Sequence, residues 1–153
     1  MQDTTAFDAT LFSNPPLPPG PALEQVREFY SHDHFATKLA NCVIQEAAYG
    51  YAVCSMELDR RHINAQGFPM GGAVFTLADF ALAIACNYDE PPTVAMSNTI
   101  DYLKVAKGTR LIATARVVSA GRKMGFYHID VHDETGVHVA QMSAKCYRPG
   151  PRN

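Results

Sequence analysis

The chain has 153 residues, of which 47% are hydrophobic and 18% are charged, and its formal net charge is -2. This length fits one domain with a sizeable core, and a net charge near zero without a basic block argues against a nucleic-acid partner. No run of about 18 apolar residues is present, which argues against a membrane-spanning helix. The first residues lack the basic and apolar parts of a signal peptide, so we expect a cytoplasmic protein.

Proline dominates the start of the chain, with five prolines between residues 15 and 21. Because proline interrupts helices and sheets, we predict an extended arm over residues 1–21 and a single domain over residues 22–150. A Pro-x-x-Pro ligand for a proline-binding domain is the alternative for the arm. From residue 22 the apolar spacing predicts a short helix that ends near Ser31.

Two strands are predicted next, over residues 42–47 and 51–58, with a turn between them that contains Gly50. Residues 59–70 read as a loop, because glycine and proline interrupt that stretch. The four cysteines of the chain are far apart and lie among apolar neighbours. We expect them to be reduced thiols of the core.

Residues 71–87 are rich in alanine and leucine and contain no proline, which predicts a helix about 25 Å long. Apolar residues occupy every side of this helix, so the rest of the fold has to cover most of its surface. Thr76 and Asp79 are the polar exceptions before the helix ends. We therefore expect a buried helix that carries one carboxylate.

The remainder of the chain predicts four strands, over residues 93–105, 109–118, 124–133 and 137–148. The last three alternate between apolar and polar residues with a period of two, which is typical of half-buried antiparallel strands. An antiparallel sheet wrapped around the long central helix is the simplest packing, and it gives an α+β fold.

Asp79 is the first candidate for chemistry, because a carboxylate among apolar side chains costs several kcal/mol unless it is paired or faces a cleft. It is interpreted either as a hydrogen-bonded structural group or as a nucleophile or general base. Ser97 and Asn98 in the following strand could face the same cleft, and we interpret them as satisfied polar groups of the core.

Gly71 and Gly72 open the helix, and their N–H groups, unhindered by side chains, are suited to binding an oxyanion. A tight turn that needs glycine is the structural alternative. Asp79 lies eight positions after Gly71, which is about 12 Å along a helix, whereas reacting groups must come within about 3 Å of one substrate atom. Chemistry by both groups therefore implies a dimer with its sites across the interface.

The stretch from His62 to Gly72 reads His-Ile-Asn-Ala-Gln-Gly-Phe-Pro-Met-Gly-Gly, and Leu-Ala-Asp follows and ends at Asp79. This order and spacing resemble the hotdog-fold thioesterases of the phenylacetate-degradation (PaaI-like) type, with the pattern His-x-Asn, Gly, His-Gly-Gly and Leu-Ala-Asp. Residues 94–95, 99–103 and 121–122 also match that family. The resemblance covers about residues 33–148.

The resemblance implies hydrolysis of acyl-CoA or related thioesters, with CoA as part of the substrate and without a metal or another cofactor. It implies that Asp79 is the nucleophile or the base for a water, and that the Gly71 N–H of the partner chain polarises the thioester carbonyl. Asn64 matches the asparagine that positions the water or the substrate, and Arg122 and Lys123 would lie near the CoA phosphates. A homodimer, often paired into a homotetramer, is the usual assembly.

One position departs from the family pattern, because Met70 replaces the histidine of His-Gly-Gly. Methionine neither donates a strong hydrogen bond nor takes up a proton, so Met70 and Phe68 are candidates for an apolar acyl pocket, with Gly72 beside them. The substitution also supports the alternative of a non-catalytic protein that binds acyl-CoA or another small ligand.

Two further alternatives remain. Hydration of enoyl thioesters ranks last, because related hotdog hydratases use a histidine at the helix entrance and this chain has none there. A metal site is the other alternative, since His138 could approach His132 across the predicted hairpin.

Overall fold

A long helix packs against a six-stranded antiparallel sheet in the computed structural model, which describes residues 16–150. The elements in chain order are α1 (Leu23–Tyr30), β1 (Cys42–Ala48), β2 (Tyr51–Glu57), α2 (Gly71–Asn87), β3 (Val94–Tyr102), β4 (Arg110–Ala120), β5 (Met124–Asp133) and β6 (His138–Tyr147). The strand order is β1-β2-β4-β5-β6-β3, and every neighbouring pair is antiparallel. The strands β1 and β3 are therefore the two edges of the sheet.

The core lies between α2 and the sheet, and α2 contacts all six strands. Leu77, Ala78 and Ala81 on the helix are 0% exposed. The apolar rows predicted from alternation in β4, β5 and β6 are buried against the helix, which confirms the predicted architecture. No helix in residues 16–150 combines the length and the apolar character needed to cross a bilayer.

The four cysteines are free and buried, as predicted. Burial, with a smaller contribution from the neighbouring Asp33 carboxylate, raises the pKa of Cys42 to about 12. The thiol therefore stays protonated and packs as a small apolar group.

The turn between β1 and β2 requires its glycine. Gly50 has a positive φ of 63°, and a Cβ at this position would lie 2.5 Å from Val117 Cγ1. Any other residue would add backbone strain to a steric clash, so Gly50 fixes how closely the hairpin approaches β4.

The predicted loop over residues 59–70 contains more structure than expected. Arg60–His62 form a 3-10 helix, and Asp59 Oδ1 accepts a hydrogen bond from Arg61 N at 2.9 Å. The buried His62 ring accepts the N–H of Asp59 through Nδ1 at 2.9 Å, while Nε2 lies 2.8 Å from the carbonyl oxygen of Ala40. His62 therefore anchors the loop that leads to α2.

Three other details differ from the sequence prediction. Phe35–Leu39 form a short π-helix that was not predicted. The strand predicted over residues 93–105 ends at Tyr102, and β4 extends to Ala120 through a bulge after Val117. The predicted arm is described only from Pro16 onward, because residues 1–15 lie outside the described part of the chain.

Candidate active site

Asp79 lies in the middle of α2, on the side that faces the edge strand β3. Its side chain is half-buried, and its Oδ1 accepts a hydrogen bond from Asn98 Nδ2 at 2.8 Å. No cationic side chain in residues 16–150 forms an ion pair with Asp79. The carboxylate is thus held by one neutral donor and remains partly exposed.

The surroundings of Asp79 favour its protonated form. Burial is the main cause that raises the pKa of Asp79 above the ordinary value; the Asn98 hydrogen bond opposes this effect, and the Asp33 carboxylate adds to it. A carboxylate with a raised pKa takes up a proton more readily at neutral pH, which suits a general base.

The amino terminus of α2 presents free N–H groups. Met70 is the N-cap residue without a side-chain cap, and its carbonyl oxygen accepts the N–H groups of Ala73 and Val74 at 2.9 and 3.2 Å. Within residues 16–150, no acceptor binds the N–H groups of Gly71 and Gly72. These two positions of a helix lack an intrahelical partner, so both N–H groups are available to an anion.

Tyr102 at the end of β3 fastens this helix entrance, because its hydroxyl donates to the Gly71 carbonyl oxygen at 2.9 Å. A Cβ at Gly71 would lie 3.2 Å from both Cζ and the hydroxyl oxygen of Tyr102. A Cβ at Gly72 would meet only the flexible end of Met70, at 3.5 Å. The close packing at Gly71 therefore leaves room for glycine and little more.

A cleft of about 390 Å³ opens beside the helix entrance. Phe68, Gly71 and Tyr102 line it together with apolar residues that follow β3. Phe68 and Met70 are 47% and 54% exposed, so both are available for apolar contact. Asp79 does not line this cleft.

Asn64 lies in the loop before α2, where it shapes the backbone. Its Oδ1 accepts hydrogen bonds from Gln66 N at 2.9 Å and from Phe68 N at 3.1 Å. The backbone N–H of Asn64 also donates to the carbonyl oxygen of Phe68 at 2.8 Å. These bonds fix the turn that presents Phe68 to the cleft.

The remaining predicted residues lie apart from the helix entrance within one chain. Arg122 and Lys123 are exposed in the turn before β5, level with Val94 at the start of β3. Gly71 lies instead beside Tyr102 at the far end of β3, roughly 27 Å away along the strand. Asp79 and Gly71 are also about 12 Å apart on their helix.

The structure adds two residues to the candidate site: Asn98, which contacts Asp79, and Tyr102, which contacts Gly71. The sequence predicts a satisfied polar group of the core at Asn98, whereas its Nδ2 binds Asp79 and its buried Oδ1 has no partner in residues 16–150. Spacing alone could not show this contact, because a bulge between Ala95 and Ser97 shifts the alternation of β3. Tyr102 stood in the matched family motif without an assigned role.

The histidines of the sheet do approach each other. The rings of His132 and His138 stack with centroids 4.4 Å apart, and His138 Nε2 lies 2.9 Å from Asp130 Oδ1. Parallel stacked rings do not direct two nitrogens at one point. No group of three or more His, Cys, Asp or Glu side chains in residues 16–150 is arranged to hold a metal ion.

A larger groove of about 720 Å³ lies elsewhere on the described surface. Residues 16–19 form one wall, and Phe29, Tyr30 and the end of α2 contribute to the others. None of the site residues predicted from the sequence lines it.

Comparison with known proteins gives consistent results. Residues 66–140 match the family model described as "Thioesterase superfamily". The acyl-coenzyme A thioesterase PaaI of Escherichia coli K12 is 33% identical over 84% of this chain and 92% of its own length. Human acyl-coenzyme A thioesterase 13 is 30% identical over 77% of this chain and 87% of its own length.

The fold agrees with these relatives. The solved structure of the E. coli PaaI protein matches with a TM-score of 0.74 and 30% sequence identity, and the match covers 84% of this chain and 97% of that chain. The chain therefore belongs to the thioesterase superfamily, as a PaaI-like protein with the hotdog fold.

Proposed function

We propose that this protein hydrolyses acyl-CoA or related thioesters at a site formed across a homodimer. Asp79 acts as the nucleophile or as the base for a water, and the Gly71 N–H of the partner subunit stabilises the oxyanion. The relatives named acyl-coenzyme A thioesterases support the substrate class. CoA enters only as part of the substrate.

The observation that carries the proposal is the pairing of Asp79 with Asn98 at 2.8 Å on a mostly apolar helix. A half-buried carboxylate without a cationic partner is costly, and such a group is typical of a functional site. The free N–H groups at the start of the same helix supply the second requirement of acyl transfer, an oxyanion donor. Asp79 and these N–H groups lie too far apart within one chain to act on the same substrate atom, so we invoke a second chain.

The edge strand β3 is the surface that we propose for the dimer. Among the described residues it pairs with β6 alone, and Val94, Met96 and Tyr102 on it are between 54% and 60% exposed. A long and partly apolar edge strand is a template for pairing with another strand. Two copies joined along β3 would form one continuous antiparallel sheet.

The positions of Asn98 and Tyr102 on β3 suggest the register of that pairing. A two-fold axis at Ile100 would place Asn98 directly opposite Tyr102 of the partner subunit, about 5 Å away and on the same face of the sheet. Asn98 binds Asp79, and Tyr102 binds Gly71. This register would therefore bring the carboxylate of one chain to the helix entrance of the other.

In the base route, Asp79 takes a proton from a water whose oxygen bonds to the thioester carbon. The carbonyl electron pair moves to the oxygen, where the backbone N–H stabilises the charge. When the carbonyl re-forms, the C–S bond breaks and the thiolate takes the proton from Asp79. In the nucleophile route, the carboxylate bonds to the carbon, the thiolate leaves, and water hydrolyses the resulting anhydride.

We propose the roles expected from the sequence for four further residues, Asn64, Gly72, Phe68 and Met70. Asn64 orders the loop before α2 through two accepted hydrogen bonds, which supports a role in positioning water or substrate. Phe68 and Met70 are exposed beside the helix entrance and would contact the acyl group, while Gly72 leaves the approach open.

Arg122 and Lys123 would serve the partner's substrate rather than that of their own chain. In the register with Ile100 on the axis, the Val94 end of β3 lies beside residues 102–106 of the other copy, which line its cleft. The turn that carries Arg122 is two strands, or about 10 Å, from that edge. Long basic side chains there could meet the CoA phosphates.

A panel of acyl-CoAs assayed for free thiol tests the proposal, with Asp79→Asn as the variant. The expected result is thiol release by the wild-type protein and its loss in Asp79→Asn at unchanged thermal stability. Asp89→Asn is the matched control, because Asp89 is exposed in the loop after α2 and its positive φ of 56° suits asparagine. Full turnover by Asp79→Asn would overturn the assignment.

The second candidate is a non-catalytic protein that binds acyl-CoA or another small ligand. Met70 favours it, because the side chain at the N-cap forms no hydrogen bond and cannot move a proton. CoA binding by calorimetry without thiol release from any acyl-CoA would establish this candidate instead. The tetramer and the cytoplasmic location expected from the sequence stay predictions.

A further inference from the structure

The contact between Asn98 and Asp79 depends on a local irregularity of β3. Ala95 pairs with Cys146 and Asn98 pairs with Ala144, and both partners on β6 face the helix. Ala144 and Cys146 are two positions apart, whereas Ala95 and Asn98 are three positions apart, because β3 bulges at Met96. Without the extra residue, Ser97 would face the helix in place of Asn98, so the bulge aims the amide at the carboxylate.

The orientation of the amide has a cost to the fold. With Nδ2 donating to Asp79, the buried Oδ1 of Asn98 has no hydrogen-bond partner in the described part of the chain. An unsatisfied buried oxygen destabilises a fold, and an apolar side chain of similar size would avoid this cost. A purely structural role therefore explains the asparagine poorly.

We propose that Asn98 is a positioning residue of the site: its amide binds Oδ1 of Asp79, fixes the carboxylate plane and leaves Oδ2 to react. This inference rests on the proposed function of Asp79. Oδ2 accepts no side-chain hydrogen bond within residues 16–150, and the side chain is partly exposed. One oxygen is thus held by the amide while the other has no side-chain partner among the described residues.

The same amide also preserves the charge on Asp79. The titratable groups that face Asp79 in the described residues are the Asp33 carboxylate before the π-helix and the Cys146 thiol on β6. Burial raises the pKa of Asp79 most, the hydrogen bond from Asn98 lowers it, and the Asp33 carboxylate adds a smaller rise. Removal of the amide would therefore raise the pKa of Asp79 and leave less of the reactive anion at a given pH.

The test compares Asn98→Leu and Asn98→Asp with the wild-type protein, and it uses Thr99→Val as the matched control on the opposite face of β3. A lost charge-assisted hydrogen bond corresponds to a shift of about one to two pH units. We expect the acidic limb of kcat to move upward by this amount in Asn98→Leu and further in Asn98→Asp, where a like charge is added. KM should stay as in the wild type in all three variants. The acidic limb of kcat should also stay as in the wild type in Thr99→Val.

Two further measurements separate positioning from a structural role. Thermal unfolding of Asn98→Leu should stay cooperative, because removal of the unsatisfied oxygen offsets part of the cost of the lost hydrogen bond to Asp79. A carbon-13 titration of the Asp79 carboxyl, assigned by its disappearance in Asp79→Asn, should show the same shift without substrate. An unmoved carboxyl titration and acidic limb in a folded Asn98→Leu would overturn this inference, while the Asp79→Asn assay alone decides the proposed function.

Discussion

Substitution of Gly71 by alanine tests the oxyanion donor, because the structure distinguishes this glycine from its neighbour. A Cβ at Gly71 would lie 3.2 Å from Tyr102 Cζ and from its hydroxyl oxygen, so the tyrosine or the helix entrance has to shift. The hydroxyl hydrogen bond to the Gly71 carbonyl oxygen, 2.9 Å long, would weaken in either case. A Cβ at Gly72 meets only Met70 Cε at 3.5 Å.

The effect on stability should be small. The weakened hydrogen bond costs about 1 kcal/mol, and the higher helix propensity of alanine offsets up to about 1 kcal/mol. The effect on catalysis should be larger, because the N–H that moves is the proposed donor. Loss of one such donor lowers kcat by about 100-fold to 1,000-fold, so a displaced donor should cost at least about 10-fold.

Steady-state thiol release and thermal unfolding of both variants provide the measurement. We expect Gly71→Ala to lose kcat with little change in melting temperature, and Gly72→Ala to lose less kcat than Gly71→Ala, because its Cβ meets only the end of Met70. Equal activity of the two variants at wild-type level would refute the role of Gly71 as donor.

Three further predictions concern the dimer register and the fold. Ile100→Cys should form a disulfide with its own copy under oxidising conditions, because the two-fold axis is proposed there, while Thr99→Cys on the other face should not; the reverse pattern on a non-reducing gel would exclude the register. Gly50→Ala should lower the free energy of unfolding by about 2–4 kcal/mol, measured by urea, since φ is 63° and the new Cβ would lie 2.5 Å from Val117 Cγ1; adding Val117→Ala should restore part of the loss, and no restoration would contradict the steric cause. Asp133 accepts five hydrogen bonds at 2.7–2.9 Å, and although burial acts to raise its pKa, these donors hold the pKa well below the usual range. The stability that Asp133 provides is therefore present above the unfolded-state pKa and is lost as the pH falls through the folded-state pKa. Asp133→Asn should be less stable than the wild type at about pH 7, and its stability should depend less on pH in acid. An unchanged profile of chemical denaturation against pH would contradict this prediction.

The central helix could be predicted from the sequence because its signals are local. Alanine-rich composition without proline defines Gly71–Asn87, and alternation in the last strands identifies the rows that cover it. The isolated carboxylate of Asp79 stands out in such a helix. The residues on which the site hypothesis depends could therefore be named from the sequence.

The contacts of the site could not be predicted, because they depend on residues distant in the chain. The bulge at Met96 changes which side chains of β3 face α2, and a period of two does not reveal it. Tyr102 meets Gly71 across 31 positions, and His62 anchors its loop through the carbonyl oxygen of Ala40. Tertiary packing, and not the local sequence, selects these partners.

Mixed dimers test most directly whether each site takes Asp79 from one chain and Gly71 from the other. Asp79→Asn and Gly71→Ala, each with little activity alone, are unfolded together and refolded in equal amounts. Half of the dimers should then be mixed, and each mixed dimer contains one unaltered site out of two, so about one quarter of the wild-type activity should return. A mixture no more active than its separate components, with mixed dimers present by mass, would contradict a site shared between the chains.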